Sequence, residues 1–199
     1  MWGSWVGVIL KFILNKPLII RCGYEIYRNE IILNKSLLRK IFLKIISKIC
    51  YNYADSILVT TKSIKHFIIQ KFKINKKKIF IQKNWIDSKK FYSLAKKKKL
   101  NSIYVGRLSE EKNLMDLIKI IKKINIPLSL YGDGPQKNIL KNMIGEKFRN
   151  KIKIKGNIQN KKLPSIYNKH NIFFLNSKAE GQPKSLLEAM SCGLIVIGK

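Results

Sequence analysis

With 199 residues, 41 Lys plus Arg and 11 Asp plus Glu, the chain carries a formal charge of +30, yet its 46% apolar and 10% aromatic content excludes a disordered basic tail and demands a folded core. Lys far outnumbers Arg, and Ile and Asn are abundant; bidentate phosphate and base recognition favours Arg, so most of this charge reads as compositional bias and not as a specific nucleic-acid footprint. Three widely spaced cysteines (Cys22, Cys50, Cys192) and two histidines (His66, His170) exclude a zinc-ligand spacing or a disulfide framework, which points to a reducing, cytoplasmic compartment.

The opening MWGSWVGVILKFILNKPLII is apolar but interrupted by Lys11, Asn15 and Lys16, too short a run to cross a bilayer. It is expected to form a helix leading into a buried strand over 17–23. A basic amphipathic helix follows over 34–54, then strands at DSILVTT and KIFIQKN separated by the helix KSIKHFIIQKF. SKKFYSLAKKKKLNS (88–102), polar and highly charged, reads as a linker. Beyond it strands and helices alternate: IYVG, NLMDLIKIIKKI, PLSLYG, PQKNILKNMI, KIKIKG, a helix around LPSIYNKH, NIFFLN, PKSLLEAM and LIVIG. Such alternation predicts an α/β fold of two Rossmann-like domains with parallel sheets, 1–98 on the acceptor side and 99–199 on the nucleotide side. Two such domains would each need about 150 residues, so the first is expected to be incomplete and the second to lack its C-terminal end.

Three stretches carry candidate chemistry. In YVGRLSEEKNLMDL a strand runs into a loop holding Arg107 and Lys112, with Asn113 placed to cap the next helix. Two cations beside a helix N-terminus at the carboxyl edge of a parallel sheet form a phosphate site without a metal; alternatively, Lys112 is one more solvated lysine. Arg107 is one of only five arginines. In YGDGPQ, two glycines permit a tight turn, with Pro135 placed to open a helix; a plain turn and a ligand-facing loop fit equally. In AEGQPKSLLEAM, Glu180 sits in a loop, Pro183 suits a helix's first turn and Glu188 lies more than one turn inside it. A loop carboxylate can hold sugar hydroxyls, free first-turn amides a phosphate, and Glu188 a ribose diol. A cap and a salt bridge would explain the two glutamates as well.

Taken in order, YVGRLSEEKN, YGDGP, IKGNI and YNKHNIFFLNSKAEGQPKSLLEAMSCGLIVIG resemble the C-terminal domain of retaining glycosyltransferases of family 4, which have the GT-B fold, and ADSILVTTKSIKHFI with KIFIQKNWIDSKKF resembles the end of their N-terminal domain. The likeness covers roughly residues 53–198. It implies a hexosyltransferase-type enzyme moving a sugar from a nucleotide-sugar to a glycan or lipid-linked acceptor with retention. Arg107 and Lys112 would neutralise the donor diphosphate, Glu180 would bind the transferred sugar, and Glu188 the ribose. Gly181, Gln182, Ser185, Leu186 and Leu187 would lie against sugar and phosphates through backbone groups, and residues near Gly156 would face the base. Asp-x-Asp is absent, in agreement with a reaction needing no metal and no cofactor beyond the donor substrate. Polysaccharide or lipopolysaccharide assembly is the implied setting.

The sequence also departs from that family. Where its members place a histidine after a strand like PLIIRCG, this chain has Arg21, Cys22, Gly23 and Tyr24. On the 34–50 helix, Leu37, Leu38, Ile41, Phe42, Ile45 and Ile49 form one stripe with Arg39, Lys40, Lys44 and Lys48 largely opposite. The favoured expectation is that this stripe packs on the sheet; the alternative is peripheral contact with an anionic membrane at the inner face of the cell. An inactive transferase remnant and a basic membrane or nucleic-acid binder remain as rival readings of the whole chain.

Overall fold

The computed structural model describes residues 3–94 and 100–198. The chain divides into two compact units, Met1–Asn84 with Ala179–Gln182 and Trp85–Lys178 with Pro183–Lys199.

In the first unit α1 (Ser4–Leu14), β1 (Ile19–Cys22), α2 (Ile26–Ile32), α3 (Leu37–Tyr53), β2 (Ser56–Val59), α4 (Lys62–Phe72) and β3 (Ile79–Ile81) follow in order. The strands are parallel in the order β1-β2-β3, with Ile20 opposite Ile57 and Ile57 opposite Ile79. α4 shows how local sequence sets an element. The Thr61 hydroxyl accepts from Ile64 N at 3.1 Å to cap it, Lys73 ends it in the left-handed region, and Ile64, Ile68 and Phe72, each one turn apart, join the core with Ile57 and Ile79.

Two expectations for this unit need correction. β1 is half-exposed, not buried, because it lies at the sheet edge, with Ile20 and Cys22 inward and Ile19 outward. More consequentially, the stripe of α3 does not pack on the sheet. The residues α3 buries are Leu43, Ser47, Cys50 and Tyr51, whereas Leu37, Leu38, Ile41, Phe42, Ile45 and Ile49 are all exposed. The side of α3 that carries Leu43, Cys50 and Tyr51 joins the unit's core, and the bulkier stripe is left exposed. α2 had no sequence signal that singled it out; its cap is Glu25, whose carboxylate accepts from Arg28 N.

The second unit continues with β4 (Ser102–Val105), α5 (Leu114–Ile124), β5 (Leu128–Tyr131), α6 (Lys137–Phe148), β6 (Ile152–Gly156), α7 (Leu163–Tyr167), β7 (Ile172–Leu175), α8 (Lys184–Ser191) and β8 (Ile195–Gly198). Its strands are parallel in the order β6-β5-β4-β7-β8. Leu114, Leu117, Ile118 and Ile121 put α5's apolar face into a core with Leu128, Leu130 and Leu140, while Phe173, Tyr167, Ala189 and Cys192 fill a second core. Of the segment read as a linker, 95–99 lies outside the described residues. Residues 88–94 form neither helix nor strand, but they are pinned to this unit: Phe91 is buried, its carbonyl accepts from Ser191 Oγ, and Asn168 bonds Leu94 N and the Tyr92 carbonyl.

Candidate functional site

The strand order places a topological switch between β4 and β7. From β4 the chain winds outward through β5 to β6; from β7 it winds the other way to β8. In such sheets the crevice past the carboxyl ends of the two switch strands is where ligands bind. The loops leaving these strands are the ones that carry the charged motif residues, and they are bonded together: Asn176 Nδ2 donates to Asn113 O at 3.0 Å, and Lys178 N donates to Glu111 O at 2.8 Å.

The β4 loop is held from beneath. Buried Tyr104 donates its hydroxyl to Arg107 O at 2.9 Å, fixing the backbone while leaving the Arg107 side chain exposed. Lys112, half-buried, ends a short 3-10 turn (Glu110–Lys112). Asn113 does open α5, but not with its side chain as expected: it adopts φ 52° and makes no side-chain cap. Asparagine is among the few residues that tolerate this left-handed position, and here it turns the chain sharply into the helix.

Beyond the sheet, the loops after β4, β5 and β6 stay zipped by backbone bonds: Gly106 N to Tyr131 O at 3.0 Å, Leu108 N to Asp133 O at 2.9 Å and Gly132 N to Gly156 O at 2.8 Å. The two glycines of YGDGP serve this approach. At Gly132 (φ 142°) a Cβ would lie 1.9 Å from Gly106 O, and at Gly134 it would lie 2.5 Å from Leu108 O. Any side chain there would push the Arg107 loop away. Pro135 lies two residues before α6 and does not open it. The zipped loops leave a cavity of about 400 Å³ lined by Arg107, Tyr131, Asp133, Asn157, Ile158 and Leu163 among others. Gly156, at φ 73°, turns the chain off β6 toward Asn157. Within the cavity wall Asp133 is held below the usual carboxylate range by Lys137 Nζ at 2.6 Å and by Gly134 N.

Glu188 lies buried on α8, where burial pushes its carboxyl above the ordinary range and a hydrogen bond from Tyr167 Oη at 3.0 Å partly offsets this. It lines a cavity of about 240 Å³ with Trp85, Asp87, Lys90, Asn160 and Lys184. The N-cap of α8 is Pro183, which makes no side-chain cap of its own to the first-turn amides around Ser185, Leu186 and Leu187. Glu180, Gly181 and Gln182 group with the first unit. There a Cβ on Gly181 would sit 2.0 Å from Gly23 O, and Asn84 N donates to Gln182 Oε1 at 2.6 Å while Arg21 Nη2 donates to Asn84 Oδ1 at 2.9 Å. The second unit therefore brings Arg107, Lys112, Gly156 and Glu188 onto one framework, and Glu180–Gln182 belong to the other. Among the described residues, no group of three His, Cys, Asp or Glu side chains could hold a metal ion.

Tyr104, Tyr167, Asn176 and Asn84 were missed as contributors by the sequence reading. Tyr167, Asn176 and Asn84 act through backbone or carboxylate partners distant in sequence, Tyr104 acts through the nearby Arg107 carbonyl, and only YGDGP hinted at the close loop packing.

Residues 86–199, more than half of the chain, match the family model for glycosyl transferases, group 1. The chain belongs to this family. An uncharacterized glycosyltransferase of Methanocaldococcus jannaschii is 33% identical over 170 residues, 75% of this chain and 41% of the relative. Among solved structures, Anabaena HepE in complex with UDP-glucose matches with a TM-score of 0.83 at 19% identity, over 98% of this chain and 57% of that one. The pneumococcal O-GlcNAc transferase GtfA, in complex with UDP and GlcNAc, matches with a TM-score of 0.62 at 25% identity, over 74% and 30% of the two chains. The fold is thus of the GT-B glycosyltransferase type. This chain spans less than half the length of the curated relatives it matches.

Proposed function

We propose that the chain's second unit binds a nucleoside-diphosphate sugar, UDP-linked in the first instance, and that the protein transfers the sugar with retention to a glycan or lipid-linked acceptor without a divalent metal. The observation that carries this reading is the pair of bonded loops at the β4/β7 switch, of which the β4 loop holds both Arg107 and Lys112 and contributes Arg107 to the wall of the roughly 400 Å³ cavity beyond β4, β5 and β6. The size suits a base, the zipped loops supply the wall, and Arg107 and Lys112 on the adjoining loop are the cations that would meet a diphosphate. Support for UDP comes from two similar structures, solved with UDP and GlcNAc and with UDP-glucose. The retaining outcome rests on the resemblance to family 4.

In this mechanism, breaking the glycosidic bond leaves developing negative charge on the departing diphosphate. Arg107, Lys112 and the first-turn amides of α8 stabilise that charge without reorganising, which lowers the barrier more than it tightens the ground state. Glu188 accepts from the ribose diol, held in place by Tyr167.

The test is a thermal-unfolding scan with UDP-, GDP- and ADP-sugars on the wild-type chain and on Arg107→Ala. At a donor concentration of about 100 times Kd, binding should add roughly 2.7 kcal/mol. A shift with UDP-sugar that Arg107→Ala abolishes is the expected result. A cooperative transition unmoved by any donor, or a shift equal in both proteins, overturns the reading.

A further inference from the structure

We propose that the outer face of α1 and α3 is a docking surface for an anionic lipid bilayer. α3 turns Leu37, Leu38, Ile41, Phe42, Ile45 and Ile49 outward, with Leu38 82% and Phe42 56% exposed. α1 adds Trp5, Ile9, Phe12 and Ile13, spaced along one face and all exposed. Phe12 meets Tyr53 edge-on at 5.2 Å and so joins the exposed face of α1 to the end of α3. A single exposed leucine needs no explanation, whereas a contiguous patch across two helices does.

Charge selects the occupant. Neither helix contains an Asp or Glu, while together they carry Lys11, Arg39, Lys40, Lys44 and Lys48. Lys11 is engaged by Asp55 at 2.7 Å and Arg39 by Glu30 at 2.8 Å. Lys44 and Lys48, one turn apart, run along the border of the stripe beside Leu37 and Ile41. A lysine row flanking inserted aliphatic and aromatic side chains fits headgroup phosphates above an acyl layer. Trp5, Tyr53 and Phe42 are of the amphipathic or aromatic kind that settles at that boundary. Among the described residues, no helix is long and apolar enough to cross a membrane, so the face lies on the bilayer and does not span it. A second copy of the chain would bring the same lysine rows together, which disfavours self-association through this face.

The surface is independent of the donor site, and its test needs no turnover. Co-sedimentation of the full chain is measured with phosphatidylcholine vesicles, with and without phosphatidylglycerol, for the wild type, Phe42→Asp/Ile45→Asp, Lys44→Ser/Lys48→Ser and Lys153→Ser/Lys155→Ser. The last pair lies on exposed positions of β6 in the other unit and removes the same charge. Expected is partition onto phosphatidylglycerol vesicles, reduced about tenfold by either α3 double variant and little changed by the β6 variant. Circular dichroism confirms folding of each; if Phe42→Asp/Ile45→Asp unfolds, the two lysine variants alone decide. The proposal is overturned by folded wild type that ignores anionic vesicles, by equal losses in the two lysine variants, or by a dimer that Phe42→Asp/Ile45→Asp dissolves without any vesicle binding.

Discussion

Helices α3 and α5 start from the same sequence pattern and meet opposite fates. Both are lysine-rich and amphipathic, and both precede a strand of a parallel sheet. α5 lays its apolar stripe, Leu114, Leu117, Ile118 and Ile121, into the core, leaves Lys119 and Lys123 exposed and bonds Lys122 to the Met143 carbonyl. α3 instead buries Leu43, Ser47, Cys50 and Tyr51 and displays its larger stripe. The pattern tells which residues share a face but not which face the sheet takes. In α3 the winning contact includes Tyr51, whose ring packs on Phe72 at 5.2 Å and whose hydroxyl reaches both Cys22 and Glu25. A large buried tyrosine with polar partners outweighs a row of isoleucines that nothing in this unit covers.

The sharpest way to break that comparison is a matched pair of truncations. Ile118→Ala empties a fully buried site and should cost about 2–5 kcal/mol in chemical denaturation. Ile45→Ala, on the exposed stripe, should change stability by no more than about 0.5 kcal/mol. Similar losses at both positions would mean that the α3 stripe is covered in solution, and by protein.

A smaller effect compares two of the buried carboxylates. Each unit holds a glutamate accepting from a buried tyrosine, Glu25 from Tyr51 at 3.3 Å and Glu188 from Tyr167 at 3.0 Å. Glu25 has a second donor in Arg28 N, while Glu188 is helped otherwise only by the charges of Lys184 and Lys90. Tyr167→Phe should therefore destabilise by about 1–3 kcal/mol, and Tyr51→Phe by less, measured by equilibrium unfolding of each variant. The reverse ranking would show that the shorter bond to Glu188 is not the one the fold relies on.

How much of this was legible beforehand depends on the distance over which each feature is determined. The βα alternation, the positions of the strands and α4 with its Thr61 cap are local, and periodicity and capping chemistry reveal them. The switch between β4 and β7 is different, because strand order is set by pairing across the sheet and not by chain order. Illegible were the side of α3 that packs, the left-handed turn at Asn113 in place of a side-chain cap, and the use of Gly132 and Gly134 for backbone approach. Those depend on what lies across the fold, as at Gly132, where the limiting neighbour is a carbonyl 26 positions earlier in the chain. The charged loop residues were legible as candidates, whereas their anchors Tyr104, Tyr167 and Asn176 look in sequence like ordinary core or loop positions.

The last comparison sets Glu188 against Asp133, two acids of one unit perturbed in opposite directions. Burial raises Glu188, so the folded protein holds that proton more tightly than the unfolded chain, whose glutamate titrates near 4.3. Its contribution to stability is complete below that value and is lost as pH rises through the folded pKa. Lys137 and the Gly134 amide lower Asp133, so its contribution is present above about 3.9 and is lost as pH falls through the folded pKa. In Glu188→Gln the first dependence vanishes and the second stays. The stability of the variant relative to wild type should rise with pH above about 4.3 and level off once Glu188 is ionised in the folded state, with Asp133 and the buried Glu25 cancelling in the difference. Parallel curves from urea unfolding across that range would mean that Glu188 ionises as freely inside the fold as outside it. Water or charge would then have to reach it through the cavity it shares with Lys90 and Lys184, leaving Tyr167 as its orienting partner but removing burial as the force that sets its charge.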